Sequence, residues 1–156
     1  MIKKLAYLCL LVFIASACSD NTVYKSKKDI NNEFWVYEDA ISFELEAPDT
    51  INWYELGLDV KHSKEFGFQN LYLYIDTGFP SDTLLTDLIN LDLAKKNGQW
   101  NGDCNSKSCS NPFILKQKFK FEELGEYSFA FKQASRQDSL KGIQSLSLKL
   151  KKADQS

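Results

Sequence analysis

Tyr54, Leu56, Leu58 and Val60 alternate with Glu55, Gly57, Asp59 and Lys61. A strict period of two sorts apolar and polar side chains onto opposite faces of an extended strand, whereas a helix would scatter them around its circumference. The same period recurs. Ile41, Phe43 and Leu45 alternate with Ser42, Glu44 and Glu46, and Leu71, Leu73 and Ile75 alternate with polar-tipped Tyr72 and Tyr74. Phe113, Leu115, Gln117, Phe119 and Phe121 share one face, as do Tyr127, Phe129 and Phe131. Leu146, Leu148 and Leu150 close the series, with Lys149, Lys151 and Lys152 directed outward.

Turn chemistry separates these runs. Pro48-Asp49-Thr50, Phe79-Pro80-Ser81-Asp82, Asn97-Gly98, Asn101-Gly102 and Leu124-Gly125-Glu126 are breaks of the kind that end strands. Leu84 to Leu93 has mixed periodicity that a helix would also fit; Thr83, Thr86 and the turn before them favour a strand. Gln133 to Leu140, ended by Gly142, is the one candidate for a short helix. The pattern predicts an all-β fold, an antiparallel β-sandwich of about seven or eight strands with one short helix near the C-terminus. No internal repeat or second domain is visible.

The first residues are of a different kind. Met1-Ile2-Lys3-Lys4 is positive, Leu5 to Ile14 is apolar, and Ala15-Ser16-Ala17-Cys18 brings small residues to a cut site. That order is a secretory signal over residues 1–17. Two processing routes fit. Ala15-x-Ala17 suits an ordinary signal peptidase, which would release a soluble protein. Ser16-Ala17-Cys18 matches a bacterial lipobox, although Ala15 stands where Leu is usual. The cysteine position favours lipidation of Cys18, and a diacylated cysteine supplies the more than one acyl chain that stable anchoring takes. Ser19 in place of Asp favours the outer over the inner membrane. Residues 18–33, with Lys25, Lys27 and Lys28 close together, are expected to be the lipidated N-terminus and a tether. The domain would occupy 34–152 and a polar tail 153–156.

Removing residues 1–17 leaves 139 of 156, enough for one domain with a core. Lys3 and Lys4 leave too, so the net charge moves from −2 to −4. There is no basic stripe for nucleic acid. Cys9 is discarded and Cys18 is lipidated, which leaves Cys104 and Cys109 in an oxidising compartment. Their spacing suits a disulfide closing a small loop. Two free thiols remain open; a metal pair has no second pair and no nearby His to complete it.

Nothing in the chain completes a catalytic set. His62 is the only histidine and is expected at a strand end, on the polar side, as a surface residue. No Gly-x-Ser-x-Gly elbow accompanies it. Asp76, Asp82, Asp87 and Asp92 lack calcium-loop spacing, and solvated acids account for them. No cofactor is implied. Trp35, Trp53 and Trp100 fall at strand edges or in turns. Tyr72 and Tyr74 lie opposite a core face, so either loops cover them or they form an exposed stripe able to anchor a protein or stack on sugar. With Trp100 they are the candidate binding aromatics.

From Val23 to Leu150 the chain resembles the GldH-type gliding-motility lipoproteins of Bacteroidetes. The resemblance rests on Phe34-Trp35, Ile41 to Glu46, Asn70 to Pro80, Asp82-Thr-Leu, Leu93-Ala94 and Gly98 to Gly102. It continues through Phe113 to Lys116, Gly125 to Phe129, Gln133-Ala134 and Leu140-x-Gly142-Ile143. The Cys104–Cys109 loop, and Lys96-Asn97 before Gly98, depart from the pattern. The resemblance implies a non-enzymatic envelope lipoprotein needed for gliding, functionally tied to type IX secretion, with other motility or secretion proteins as partners. It carries over no catalytic residue and only Cys18 as a functional position. A glycan-binding module of the same fold is the alternative, and a hydrolase comes third.

Overall fold

The alternation beginning at Tyr54 runs further than Val60. The computed structural model describes residues 21–153, and in it a ten-residue strand runs Tyr54–Ser63 with every even-numbered side chain buried. In chain order the strands are β1 (Thr22–Asp29), β2 (Phe34–Val36), β3 (Ile41–Glu46), β4 (Tyr54–Ser63), β5 (Asn70–Gly78) and β6 (Leu84–Asp92). They continue with β7 (Asp103–Cys104), β8 (Ser108–Phe119), β9 (Glu126–Gln133), β10 (Ser139–Lys141) and β11 (Ile143–Lys152). One sheet has the order β1-β11-β4-β8-β7 and the other β3-β9-β5-β6; β10 and β2 form a separate pair. All pairings are antiparallel.

The two sheets share one core. In register across β4 and β11, Leu56 meets Leu150, Leu58 meets Leu148 and Val60 meets Leu146. All are buried and work together with Phe43, Leu45, Leu71, Leu73, Phe129 and Phe131 of the second sheet. Phe43 and Phe131 meet edge to face with ring centroids 5.8 Å apart, the arrangement that the ring quadrupoles favour. This is the antiparallel β-sandwich that the period-two runs predict, and Leu84–Asp92 is a strand. The strand count exceeds the expectation because β2, β7 and β10 are only two or three residues long.

Two expectations are corrected. Gln133 to Leu140 is not a helix: Gln133 ends β9, and Leu140 lies in β10, paired to Trp35. The fully buried Gln133 amide is the cause. Its Nε2 donates to the carbonyl of Gln137 at 3.0 Å, and its Oε1 accepts from the Ser135 backbone at 3.1 Å and from the Ser135 hydroxyl. Those bonds satisfy the chain as a turn. The only helical turn among the described residues is a short 3-10 segment at Asn31–Glu33. Gly142, at φ +102, joins β10 to β11, where a Cβ would come within 3.3 Å of the Phe66 backbone.

The second correction concerns the tether. Thr22–Asp29 is β1, paired along its length with β11 from Thr22↔Lys151 to Asp29↔Ser145. Residues 22–29 are therefore part of the fold and not of a tether that lasts to residue 33. The lysines that make the segment look like a tether are normal equipment for an exposed edge strand, where charge discourages further pairing. The expected signal peptide over 1–17, Cys18 and the last three residues lie outside the described residues.

Candidate functional site

The outer face of the second sheet carries exposed apolar side chains from two neighbouring strands. β5 sends Leu71, Leu73 and Ile75 into the core and holds Tyr72 and Tyr74 outward, 46% and 38% exposed. On the neighbouring strand Leu88 is in register with Tyr74, Asn90 with Tyr72 and Thr86 with Asp76. Leu88 and Leu84 are more than half exposed. Beyond Tyr74 on the other side lies Lys132, whose Nζ donates to Asp76 at 2.8 Å while Thr86 Oγ1 donates at 2.6 Å. Lys132 first, then Thr86, holds the Asp76 carboxyl below its ordinary range. The result is an exposed group of Tyr72, Tyr74 and Leu88, with Leu84 further along the same face beyond Thr86 and the Asp76–Lys132 ion pair.

That face ends in a free sheet edge. Thr83 and Leu93, at the two ends of β6, turn their backbone groups toward β5. In antiparallel pairing such groups alternate, so those of Leu84, Thr86, Leu88 and Asn90 point away from the sheet. Among the described residues β6 pairs only with β5. Between this edge and β8 opens a cleft of about 500 Å³ lined by Ile75, Phe79, Ile89, Leu115, Phe119 and Phe121 among others.

The other sequence candidates go elsewhere. Trp100 does not join the tyrosines; it forms a bridge with Ala94 and packs at a tilt against His62. Cys104 and Cys109 are joined by a disulfide across the β7–β8 hairpin. His62 is the third correction. It is fully buried, because position 62 is in step with Tyr54, Leu56, Leu58 and Val60 and so belongs to the core face. Its Nδ1 donates to the Ser63 carbonyl at 2.8 Å, and Nε2 has no partner among the described residues. Burial lowers its pKa more than the Ser63 bond raises it. No acid or hydroxyl touches the ring, so the described residues give it nothing with which to activate a nucleophile. Among those residues there is also no group of three or more His, Cys, Asp or Glu side chains placed to hold a metal.

Sequence reasoning missed Asp49. Its carboxylate accepts from the backbones of Ile51 at 2.9 Å and Asn52 at 2.7 Å, from Asn52 Nδ2 at 2.7 Å and from the Tyr54 hydroxyl at 2.6 Å. The Asn52 backbone bond is the largest of the effects that hold this carboxyl well below its usual range. Tyr54 is pushed up to about 12, first by burial and then by Asp49. These bonds fix the β3–β4 loop and thrust Ile51 out, 76% exposed. The Pro-Asp-Thr break was the only sequence signal here.

The family model for the GldH lipoprotein matches residues 22–150, from the first strand to the last. This chain belongs to the GldH lipoprotein family. Among its GldH relatives, the gliding motility lipoprotein GldH homolog of Christiangramia forsetii is 25% identical over 150 residues, covering 92% of this chain and 91% of that one. The gliding motility lipoprotein GldH of Flavobacterium johnsoniae is 22% identical over 160 residues, covering 98% and 99%. Of solved structures, an exo-beta-1,3-galactanase from Phanerochaete chrysosporium aligns at 9% identity with a TM-score of 0.37, covering 80% of this chain but 29% of its own. A likeness that low carries no argument about the GldH fold or its chemistry.

Proposed function

We propose that this GldH-family protein is a non-enzymatic scaffold of the gliding-motility apparatus, functionally linked to type IX secretion. A lipid on Cys18 holds it to the cell envelope, at the outer membrane by the Ser19 rule. The outer face of the β3-β9-β5-β6 sheet receives a protein partner. The observation that carries this reading is the exposure of Tyr72, Tyr74, Leu84 and Leu88 on one face of the sheet, beside the edge of β6 that pairs with nothing among the described residues. Exposed apolar surface bordered by charge suits a protein interface, and a strand edge can accept a partner strand.

The test is recovery of partners from envelope fractions by proximity labelling, with the wild-type chain and a Tyr72→Ala/Tyr74→Ala variant. Motility or secretion components should label with the first and fall away with the second. Specific retention of polysaccharide with no such components would favour the glycan-binding alternative instead. For the anchor, Cys18→Ala should move the protein from membrane to soluble fractions; membrane retention unchanged by that substitution would count against lipidation.

A further inference from the structure

The placement of β1 has a bearing on how the domain sits against a membrane. Thr22 follows Cys18 by four residues, and four extended residues span at most about 14 Å. Thr22 is fixed opposite Lys151, and the Lys152 backbone donates to the Asn21 carbonyl at 2.9 Å. The next backbone group, Ala153 N–H, donates to Trp53 at 2.8 Å, which places the β3–β4 loop at the same end. Lys120 lies over the Trp53 ring at 4.8 Å, and Ala47 bonds to Gly125, beside the exposed Leu124. One end of the sandwich thus gathers two exposed apolar tips, Ile51 and Leu124, and a half-buried tryptophan.

Charge divides this end. On the outer face of the five-stranded sheet Lys25 stands directly opposite Lys149, with Lys151 following, while Lys152, in step with Leu148 and Leu150, is exposed where β11 ends. Like charges in register weaken a sheet, and none of these four lysines makes an ion pair among the described residues. Gly57 lies beside Lys149 and Glu55 beside Lys151. On the other sheet the corresponding corner is acidic, with Glu46 opposite Glu126 and Glu44 next to them. Glu55 apart, the lysines gather on one sheet and the acids on the other, and no ion pair joins these lysines and acids among the described residues.

We propose that this end docks on the bilayer itself, its lysine side toward anionic headgroups and Ile51 and Trp53 at the interface. The inference rests on the Cys18 anchor. Basic side chains near an anionic leaflet and a tryptophan at headgroup depth are the elements that hold a surface-bound protein in one orientation. With the acidic corner turned from the lipid, the Tyr72 and Tyr74 face is left open to the aqueous side.

The mature lipidated chain, reconstituted in vesicles of phosphatidylethanolamine and phosphatidylglycerol with brominated acyl chains, tests this. Tryptophan fluorescence should be quenched, and the quenching should vanish in Trp53→Phe. A Lys25→Glu/Lys149→Glu/Lys151→Glu variant should still float with the vesicles but lose more than half of the quenching. Ile51→Asp, which changes only a loop tip, should do the same. Flotation without quenching of Trp53 would overturn the docking and leave the anchor standing. Quenching that the triple variant and neutral phosphatidylcholine vesicles leave unchanged would equally overturn the role of the lysines. A lipidated chain that fails to float would remove the anchor and the docking together.

Discussion

The imidazole of His62 packs against the indole of Trp100 with ring centroids 4.6 Å apart, at the rim of a core that excludes water from both sides of the histidine. Burial keeps its folded pKa below the ordinary 6.5. As pH falls, the unfolded chain therefore takes up a proton before the folded one does. This contribution to stability is complete above about 6.5 and is lost as pH falls from there toward the folded value. Urea midpoints measured on either side of 6.5 should drop on the acid side, and His62→Leu should flatten that drop.

Asp49→Ala should lower the thermal midpoint at neutral pH by removing the shared acceptor of the β3–β4 loop. The Asp49 pKa is lowered in the folded state, so its contribution is present above the ordinary 3.8 and fades as pH falls below it. The gap between variant and wild type should narrow in acid. Ultraviolet titration offers a second reading: Tyr54 should ionise below its present value of about 12. The fall should be partial, because burial, the larger cause, remains.

Phe131 is fully buried and Leu88 is 58% exposed, although both belong to the same sheet. Phe131→Ala should cost about 3–5 kcal/mol through lost burial and a residual cavity. Leu88→Ala should stay within about 0.5 kcal/mol. Urea denaturation of the two variants would test the assignment of faces. Comparable losses would mean that β6 is covered in the folded protein.

The Cys104–Cys109 disulfide closes a loop five residues in separation. Restricting the unfolded chain by so short a loop contributes about 2 kcal/mol in the chain-entropy model. A Cys104→Ser/Cys109→Ser variant should lose about that much, and adding reductant should shift the wild type, but not the variant, to a lower midpoint.

What was legible in the sequence depended on whether neighbours or distant partners decide each residue. β4 announces itself, because its alternation is a local consequence of burying one face. The same arithmetic places His62 inside, yet chemical habit assigns an imidazole to the surface, and the habit was the weaker guide. β1 was hidden because an edge strand buries little and its composition mimics a linker. The turn after Gln133 is held by a buried amide that also donates to the carbonyl of Trp35, far away in the chain. For the candidate site, alternation separates Tyr72 and Tyr74 from the core, but their exposure follows from what packs outside β5, which no local pattern contains. The same holds for Asp49, whose four donors converge only when the loop is formed.

The pairing of β1 with β11 also makes a load path. A lipid on Cys18 would pass a pull on the domain into Thr22, and a pull directed away from the membrane loads β1 along its axis. Its register with β11 continues to Asp29, and tension in that direction shears the strands past each other. The pairs must then give way together, whereas tension across the strands would peel them apart one by one. For a lipid-anchored envelope protein pulled away from its membrane, fastening the leash to the start of an edge strand is the stiffer of the two attachments.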